Sequence, residues 1–209
     1  MRVAVCIPWR AQPTRLPAFY RAMEFWADYP VYLGDSEPTQ PFHRSQARNN
    51  AVKSAAAEIV IIADADTVCE MPALRRAVDL ANGGAVVYPF TRYRAMPAEA
   101  VAYDLDDLYV VEPCFTKYDA AGGILVCASD LFWWLGGYDE RFGAVWGYED
   151  KAFKAAAETL AAVERVEGIA WSFDHENDRE PTAATTRSRW KLYQFAYGKP
   201  EVMRELLKR

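Results

Sequence analysis

Two rhythms of apolar and polar residues take turns along this chain. Short apolar runs lie over Val3–Pro8, 31–33, Ile59–Ala63, 85–90 and 124–127, and 162–166 and Ile169–Phe173 are two further strand-like runs. Runs of that length without alternation predict strands buried on both faces. Between them apolar residues return every three or four positions, which predicts helices. Leu16, Phe19, Tyr20, Met23 and Ala27 make one such face, with Thr14 placed to cap it and Pro30 to stop it. A helix of small residues spans 45–57, and another spans 71–81 with Leu74, Ala77, Val78 and Ala81 on one side, ended by Asn82-Gly83-Gly84. Ser129 is placed to cap a helix over 130–135. Phe153, Ala156, Ala157 and Leu160 mark a helix that starts near Glu149, and 189–197 and 201–207 read as two more. Segment 93–121 is the least regular, with a helix expected over 98–108, and 177–189 reads as a polar, mobile loop. Strand, helix, strand in succession predicts an α/β domain over 1–209, with a mostly parallel central sheet flanked by helices.

The sharpest change of character falls at 58–66, which reads EIVIIADAD. A buried strand ends there in two aspartates separated by one small residue. The carboxyl end of a strand is where an open α/β sheet keeps its ligand site. If the strand continued, Asp64 and Asp66 would point the same way and offer hard oxygen ligands to Mg²⁺ or Mn²⁺. The competing reading is that one of them caps the following helix, since Asp is a good N-cap and Pro72 lies near a helix start.

Composition narrows this picture only slightly. Of 209 residues, 52% are apolar and 25% charged, as expected for a folded soluble protein, and the net charge of −5 gives no global attraction to a polyanion. Arg10, Arg15, Arg44, Arg48 and Lys53 form a local basic group suited to a phosphate, or else are scattered solvated charges. No apolar run reaches the roughly 20 residues of a membrane span. Cys6, Cys69, Cys114 and Cys127 lack metal or redox spacing, and no signal peptide is read at the start. A reducing, cytoplasmic setting is therefore expected.

Acidic groups also close other strand-like runs: Asp35, then Glu149-Asp150 after Trp146-Gly147-Tyr148, and Asp174-His175-Glu176. Glu149 and Asp150 stand at a helix start, where acids also serve the helix dipole, but Trp146 and Tyr148 add flat faces on which sugars lie. One carboxylate there could act as a general base. His175 could complete a metal site or be a surface histidine.

Taken together, these residues resemble a family 2-type glycosyltransferase of the GT-A fold. Gly34-Asp35-Ser36, Ala47-Arg48-Asn49 and Asp64-Ala65-Asp66 follow its nucleotide-binding half. GGYDERF over 136–142 and WGYED over 146–150 resemble the C-terminal block of galactosyltransferases and polypeptide N-acetylgalactosaminyltransferases. The resemblance implies 1–90 as the nucleotide-binding half, 91–176 as the acceptor and catalytic half, and 177–209 as a mobile loop with C-terminal helices. It implies that Pro8, Arg10 and Asp35 hold the nucleoside base and that Arg48 meets base or diphosphate. Asp64, Asp66 and His175 would hold the metal, Asp64 also facing the ribose. Gly123 and Trp146 would line the sugar, Asp150 would be the base, and Glu149 would bind sugar or acceptor. Loop 177–189, with Arg179, Arg187 and Arg189, would close as a lid. The implied activity is metal-dependent transfer, with inversion, from a nucleotide-sugar, a UDP-sugar by default. The acceptor is left open among a glycan, a protein side chain, a small molecule and a modified nucleobase. Two rivals remain: a sugar-phosphate nucleotidylyltransferase, although WRAQPTRLP after the first strand lacks the glycines it needs, and a catalytically idle nucleotide-sugar-binding module.

Overall fold

Ten strands and seven α-helices succeed one another in the described residues, 1–174 and 183–208 of a computed structural model. Strand β1 (Val3–Pro8) leads to α1 (Leu16–Phe25), β2 (Val31–Gly34), α2 (Arg44–Ala55) and β3 (Ile59–Ala63). Then come β4 (Thr67–Cys69), α3 (Met71–Asn82), β5 (Val86–Tyr88), β6 (Arg92–Met96), β7 (Phe115–Tyr118) and β8 (Ile124–Ala128). The chain ends through α4 (Ser129–Trp134), α5 (Glu149–Leu160), β9 (Val163–Arg165), β10 (Ile169–Phe173), α6 (Ala184–Ala196) and α7 (Pro200–Lys208).

The main sheet has the order β2-β1-β3-β8-β5-β9. β1 runs parallel to β2 and β3, and β5 runs parallel to β9, while β8 is antiparallel to both of its neighbours. The sheet is therefore mixed with a parallel majority, as the apolar runs predict. Every residue of β3 is buried, which explains its lack of alternation. α2 sits directly on β2, and a Cβ added to Gly34 would lie 2.0 Å from the Ala47 carbonyl oxygen. Only glycine permits that approach.

A second sheet, β4-β10-β6-β7, lies beyond the aspartate pair. The apolar pattern does not reveal β4, β6 or β7. β4 has three residues, β6 reads RYRAM, and β7 is an edge strand with all four residues exposed, so none carries a long buried run. The helix expected over 98–108 is two 3₁₀ segments instead, Ala98–Ala102 and Leu105–Tyr109. Thr14 lies inside a 3₁₀ turn, Pro13–Arg15, and does not cap α1. Ser129 does not cap α4 either; its hydroxyl donates to the Ala57 carbonyl at 2.6 Å. The expected loop 177–189 is helical from Ala184 onward.

The principal core gathers around β1, β3, β5 and β8. A smaller one joins Phe142, Ala152, Ala155, Ala156, Tyr193, Ala196, Met203 and Leu206. α5 belongs to both, sending Phe153 and Ala157 inward and its other alanines toward α6 and α7. Its small residues allow that close sandwiching. Among the described residues no helix is long and apolar enough to cross a membrane.

Candidate active site

The parallel register of β1, β2 and β3 brings their carboxyl ends side by side. Pro8 pairs with Gly34, so Arg10 and Asp35 emerge next to each other, and Asp64 emerges at the end of β3. β8 begins on the same edge, with Ala63 opposite Ile124, and the Asp64 amide donates to the Gly123 carbonyl at 2.8 Å. Gly123 has φ +102°, and a Cβ there would stand 2.9 Å from the Tyr93 ring. A Cβ on Gly122 would stand 2.9 Å from Asp150 Oδ2. The two glycines thus let the backbone pass close to the Tyr93 and Asp150 side chains.

Strand β3 stops at Ala63, and residues 64–66 turn, with the Thr67 amide donating to the Asp64 carbonyl at 3.2 Å. Strand alternation therefore does not set the two aspartates; the turn does. Neither caps a helix, because β4 follows and the residue before α3 is Glu70. Asp66 Oδ1 accepts from the Thr67 hydroxyl at 2.9 Å. Burial, with the charges of Asp66 and Asp64 adding to it, pushes the Tyr93 phenol well up. The Phe173 amide donates to the Asp66 carbonyl at 2.9 Å, which sets the end of β10 against the second aspartate. His175 and Arg179 lie outside the described residues.

Arg48 is the centre of the site. It is 3% exposed, on α2. Its Nη2 donates to Asp64 Oδ1 at 2.7 Å, and its Nη1 lies 3.1 Å from Asp150 Oδ1 and 3.5 Å from Glu149 Oε1. The guanidinium covers the Tyr138 ring at 4.7 Å. Arg44, one turn earlier, reaches Glu149 Oε1 at 3.4 Å. Burial alone would disfavour the Arg48 cation, but Asp150, Asp64, Tyr138 and Glu149 around it hold it firmly charged.

Asp150 Oδ1 is buried and makes no hydrogen bond among the described residues beyond its ion pair with Arg48. Burial lifts the carboxyl from 3.8 to about 7, with Glu149 and Asp64 adding to the rise and Arg48 and Arg44 opposing it. Glu149 is 4% exposed and held between the two arginines, so the chain buries it rather than offering it to a ligand. Gly147 (φ +119°) and Tyr148 (φ +73°) bend the backbone sharply so that α5 starts at this pair. Tyr148 stacks on Trp190 of α6, with ring centres 5.8 Å apart. Trp146 remains 39% exposed near the same turn.

The other expected residues divide by what they touch. Arg10 donates to Asp35, Gln40, Ser36 and Glu37, so its guanidinium organises the 35–42 loop. Asp35 stays exposed, and Pro8 is buried in β1. Arg189 is on α6 and donates to Asp139 at 2.8 Å, as does Tyr193 at 2.9 Å, so it anchors a helix. Arg187 also lies on α6.

Sequence reasoning grouped Arg44 with basic residues suited to a phosphate, singled out Tyr138 and Asp139 only as part of the GGYDERF block, and missed Tyr93 and Gly122. Spacing offered one signal: Arg44 and Arg48 are four apart and so share a helix face. Asn49 ties this helix to the GGYDE turn, its amide exchanging hydrogen bonds with the Tyr138 backbone at 2.9 Å each way.

No protein-family model and no curated protein sequence matches this chain. Solved structures do match. A structure of GalNAc-T7 with UDP, GalNAc and Mn²⁺ aligns with 98% of this chain at a TM-score of 0.59 and 13% identity. This chain covers 48% of that one, about half its length. A Drosophila β1,4-galactosyltransferase 7 variant with manganese, UDP-Gal and xylobiose aligns with 90% of this chain and 78% of its own, at a TM-score of 0.55 and 16% identity. The catalytic domain of the same Drosophila enzyme with xylobiose gives 89%, 78%, 0.54 and 16%. The chain has the GT-A fold of these glycosyltransferases.

Proposed function

We propose that this protein is a metal-dependent inverting glycosyltransferase that moves a sugar from a nucleotide-diphosphate donor, a UDP-sugar by default, to an acceptor hydroxyl. The observation that carries the reading is the convergence of Asp64 and Asp150, 86 positions apart, on the two amino groups of Arg48. The ligands named for the structural neighbours, UDP or UDP-Gal with manganese, favour the same donor class.

The residues present fit a divalent cation by charge. Arg44 and Arg48 face Asp64, Glu149 and Asp150, so these carboxylates outnumber the cations, and Asp66 stands at the same turn as Asp64. Among the described residues no three potential ligands form a cluster. Asp64 and Asp66 would hold Mn²⁺ or Mg²⁺ with His175, and donor phosphate oxygens would fill the remaining positions. The ion would offset the charge that grows on the departing nucleoside diphosphate.

The chain's own groups account for the remaining steps. Arg10 and Asp35 shape the loop beside Pro8 that receives the nucleoside. Gly123 and Trp146 flank the sugar. Asp150 takes the proton from the acceptor hydroxyl, whose oxygen bonds to the anomeric carbon from the face opposite the diphosphate. The bond from that carbon to the phosphate oxygen breaks, and the nucleoside diphosphate leaves with its electron pair. One such displacement inverts the configuration. A carboxylate titrating near 7 is well matched to this role. We assign 1–90 to donor binding and 91–176 to the acceptor and the base. We also place the protein in a reducing cytoplasm, where its three buried and one exposed free thiols would persist.

The test is release of nucleoside diphosphate from UDP- and GDP-sugars with Mn²⁺ by the parent and by Asp150→Asn. The parent should turn over at least one donor, and the variant should lose about 10²–10⁴ in rate. Equal rates would remove Asp150 as the base. Binding of UDP without turnover of any donor would favour the idle binding module.

A further inference from the structure

We infer that Arg48 is a positioning residue and not a donor ligand: from inside α2 it fixes Asp64 and Asp150 in one arrangement before any substrate enters. This rests on the glycosyltransferase reading of the same site, and it reverses the donor contact expected for Arg48 from the sequence.

Four observations carry it. First, Arg48 is 3% exposed, so it has almost no surface on which to receive a diphosphate. Second, both amino groups are already engaged, one with Asp64 at 2.7 Å and the other with Asp150 at 3.1 Å and Glu149 at 3.5 Å. Third, the face of the guanidinium lies on Tyr138, which Asn49, the next residue of α2, locks through its backbone. Fourth, Arg44 adds a second cation to Glu149, so the helix grips the start of α5 at two levels.

The planar fork suits this task and a lysine does not. Two separate amino groups point at two carboxylates, one in the turn after β3 and one on α5, while an ammonium is a single point charge. The fork holds Asp150 against Gly122 at a fixed distance from the Asp64 turn. A base must meet its hydroxyl within hydrogen-bond reach, so a shift of about 1 Å would slow the proton transfer strongly while leaving the donor pocket in place.

The experiment compares parent, Arg48→Lys and Arg44→Met. Calorimetry with Mn²⁺ gives the affinity for UDP, and steady-state turnover of a UDP-sugar gives kcat and KM. For Arg48→Lys we expect a UDP Kd within about threefold of the parent and a kcat lower by at least about tenfold. Arg44→Met, whose side chain is a third exposed and is safer to replace, should show the same split at about threefold in kcat. A UDP Kd weakened tenfold with kcat unchanged would make Arg48 a donor ligand and overturn the inference.

A third arm needs neither donor nor metal. Urea unfolding of Arg48→Lys, Asp150→Asn and the double variant tests the bridge directly. Non-additive changes support it, and additive ones end it. A protein that binds UDP but turns over no donor would therefore refute the glycosyltransferase reading, while the unfolding cycle would still decide the bridge.

Discussion

Single residues decide whether this site can exist. Gly123 combines a positive φ with a ring 2.9 Å from where its Cβ would be, so Gly123→Ala should cost about 1–3 kcal/mol and lower the melting temperature measured by circular dichroism. A melting curve identical to the parent's would mean that Tyr93 can move aside freely. Asp150 makes a prediction of defined sign. Its folded carboxyl titrates above its ordinary range, so the stability it contributes is complete below about pH 4 and is lost as pH rises toward about 7. Metal-free protein should therefore lose unfolding free energy across that window, and Asp150→Asn should flatten the slope. Urea midpoints taken at steps of pH would show it, and an unaltered slope would mean that Asp150 is not the group responsible. The aspartates at 64 and 66 and the acid pair at 149–150 were legible from residue type and setting. The partners of Arg48 were not, because contacts across 16, 101 and 102 positions leave no mark in local sequence.

Elements add a second layer of dependence, most clearly at α6. Asp139 of the GGYDE turn is nearly buried and accepts from Arg141, Arg189 and Tyr193. Burial would raise its carboxyl, but the Arg141 side-chain and backbone hydrogen bonds, then those from Arg189 and Tyr193, outweigh burial and hold it below the usual carboxylate range. Its contribution is thus present at neutral pH and is lost as pH falls through the lowered value. Asp139→Asn should cost about 1.5–3 kcal/mol. Hydrogen exchange should then quicken in α6 and α7 while β1 and β3 stay protected. Uniform loss of protection would show that α6 unfolds only with the whole. The reading of 177–189 as loop fails from Ala184 onward, while 177–182 lie outside the described residues. Ala184 to Arg189 carry two Thr and a Ser, a weak helix signal, and the segment becomes helical with Thr186 buried and Tyr193 packed beside Phe142 and the alanines of α5. Segment 98–108 failed for the opposite reason. Its apolar residues do recur, but Tyr103 and Asp104 adopt extended backbone and divide it into two short 3₁₀ pieces.

For the whole molecule, a ligand that binds only the folded form must raise its stability. UDP at a hundredfold excess over Kd, with Mn²⁺, should add about 2.7 kcal/mol. In a protein of this size that is a melting shift of roughly 5–10 °C. Asp66→Ala should abolish the part that requires Mn²⁺, and a shift that survives the substitution would move the metal elsewhere. Local pattern was enough for the longer buried strands, for β1, β2 and β3 as successive strands, and for the acids at their ends, because apolar runs and turn residues report directly on burial. Tertiary structure alone decided that Asp64 and Asp150 share one arginine, that Glu149 is enclosed rather than offered, and that β4, β6 and β7 form a second sheet. Those outcomes depend on which distant surfaces α2 and α5 press together, and packing of that kind is settled by shape and charge in three dimensions.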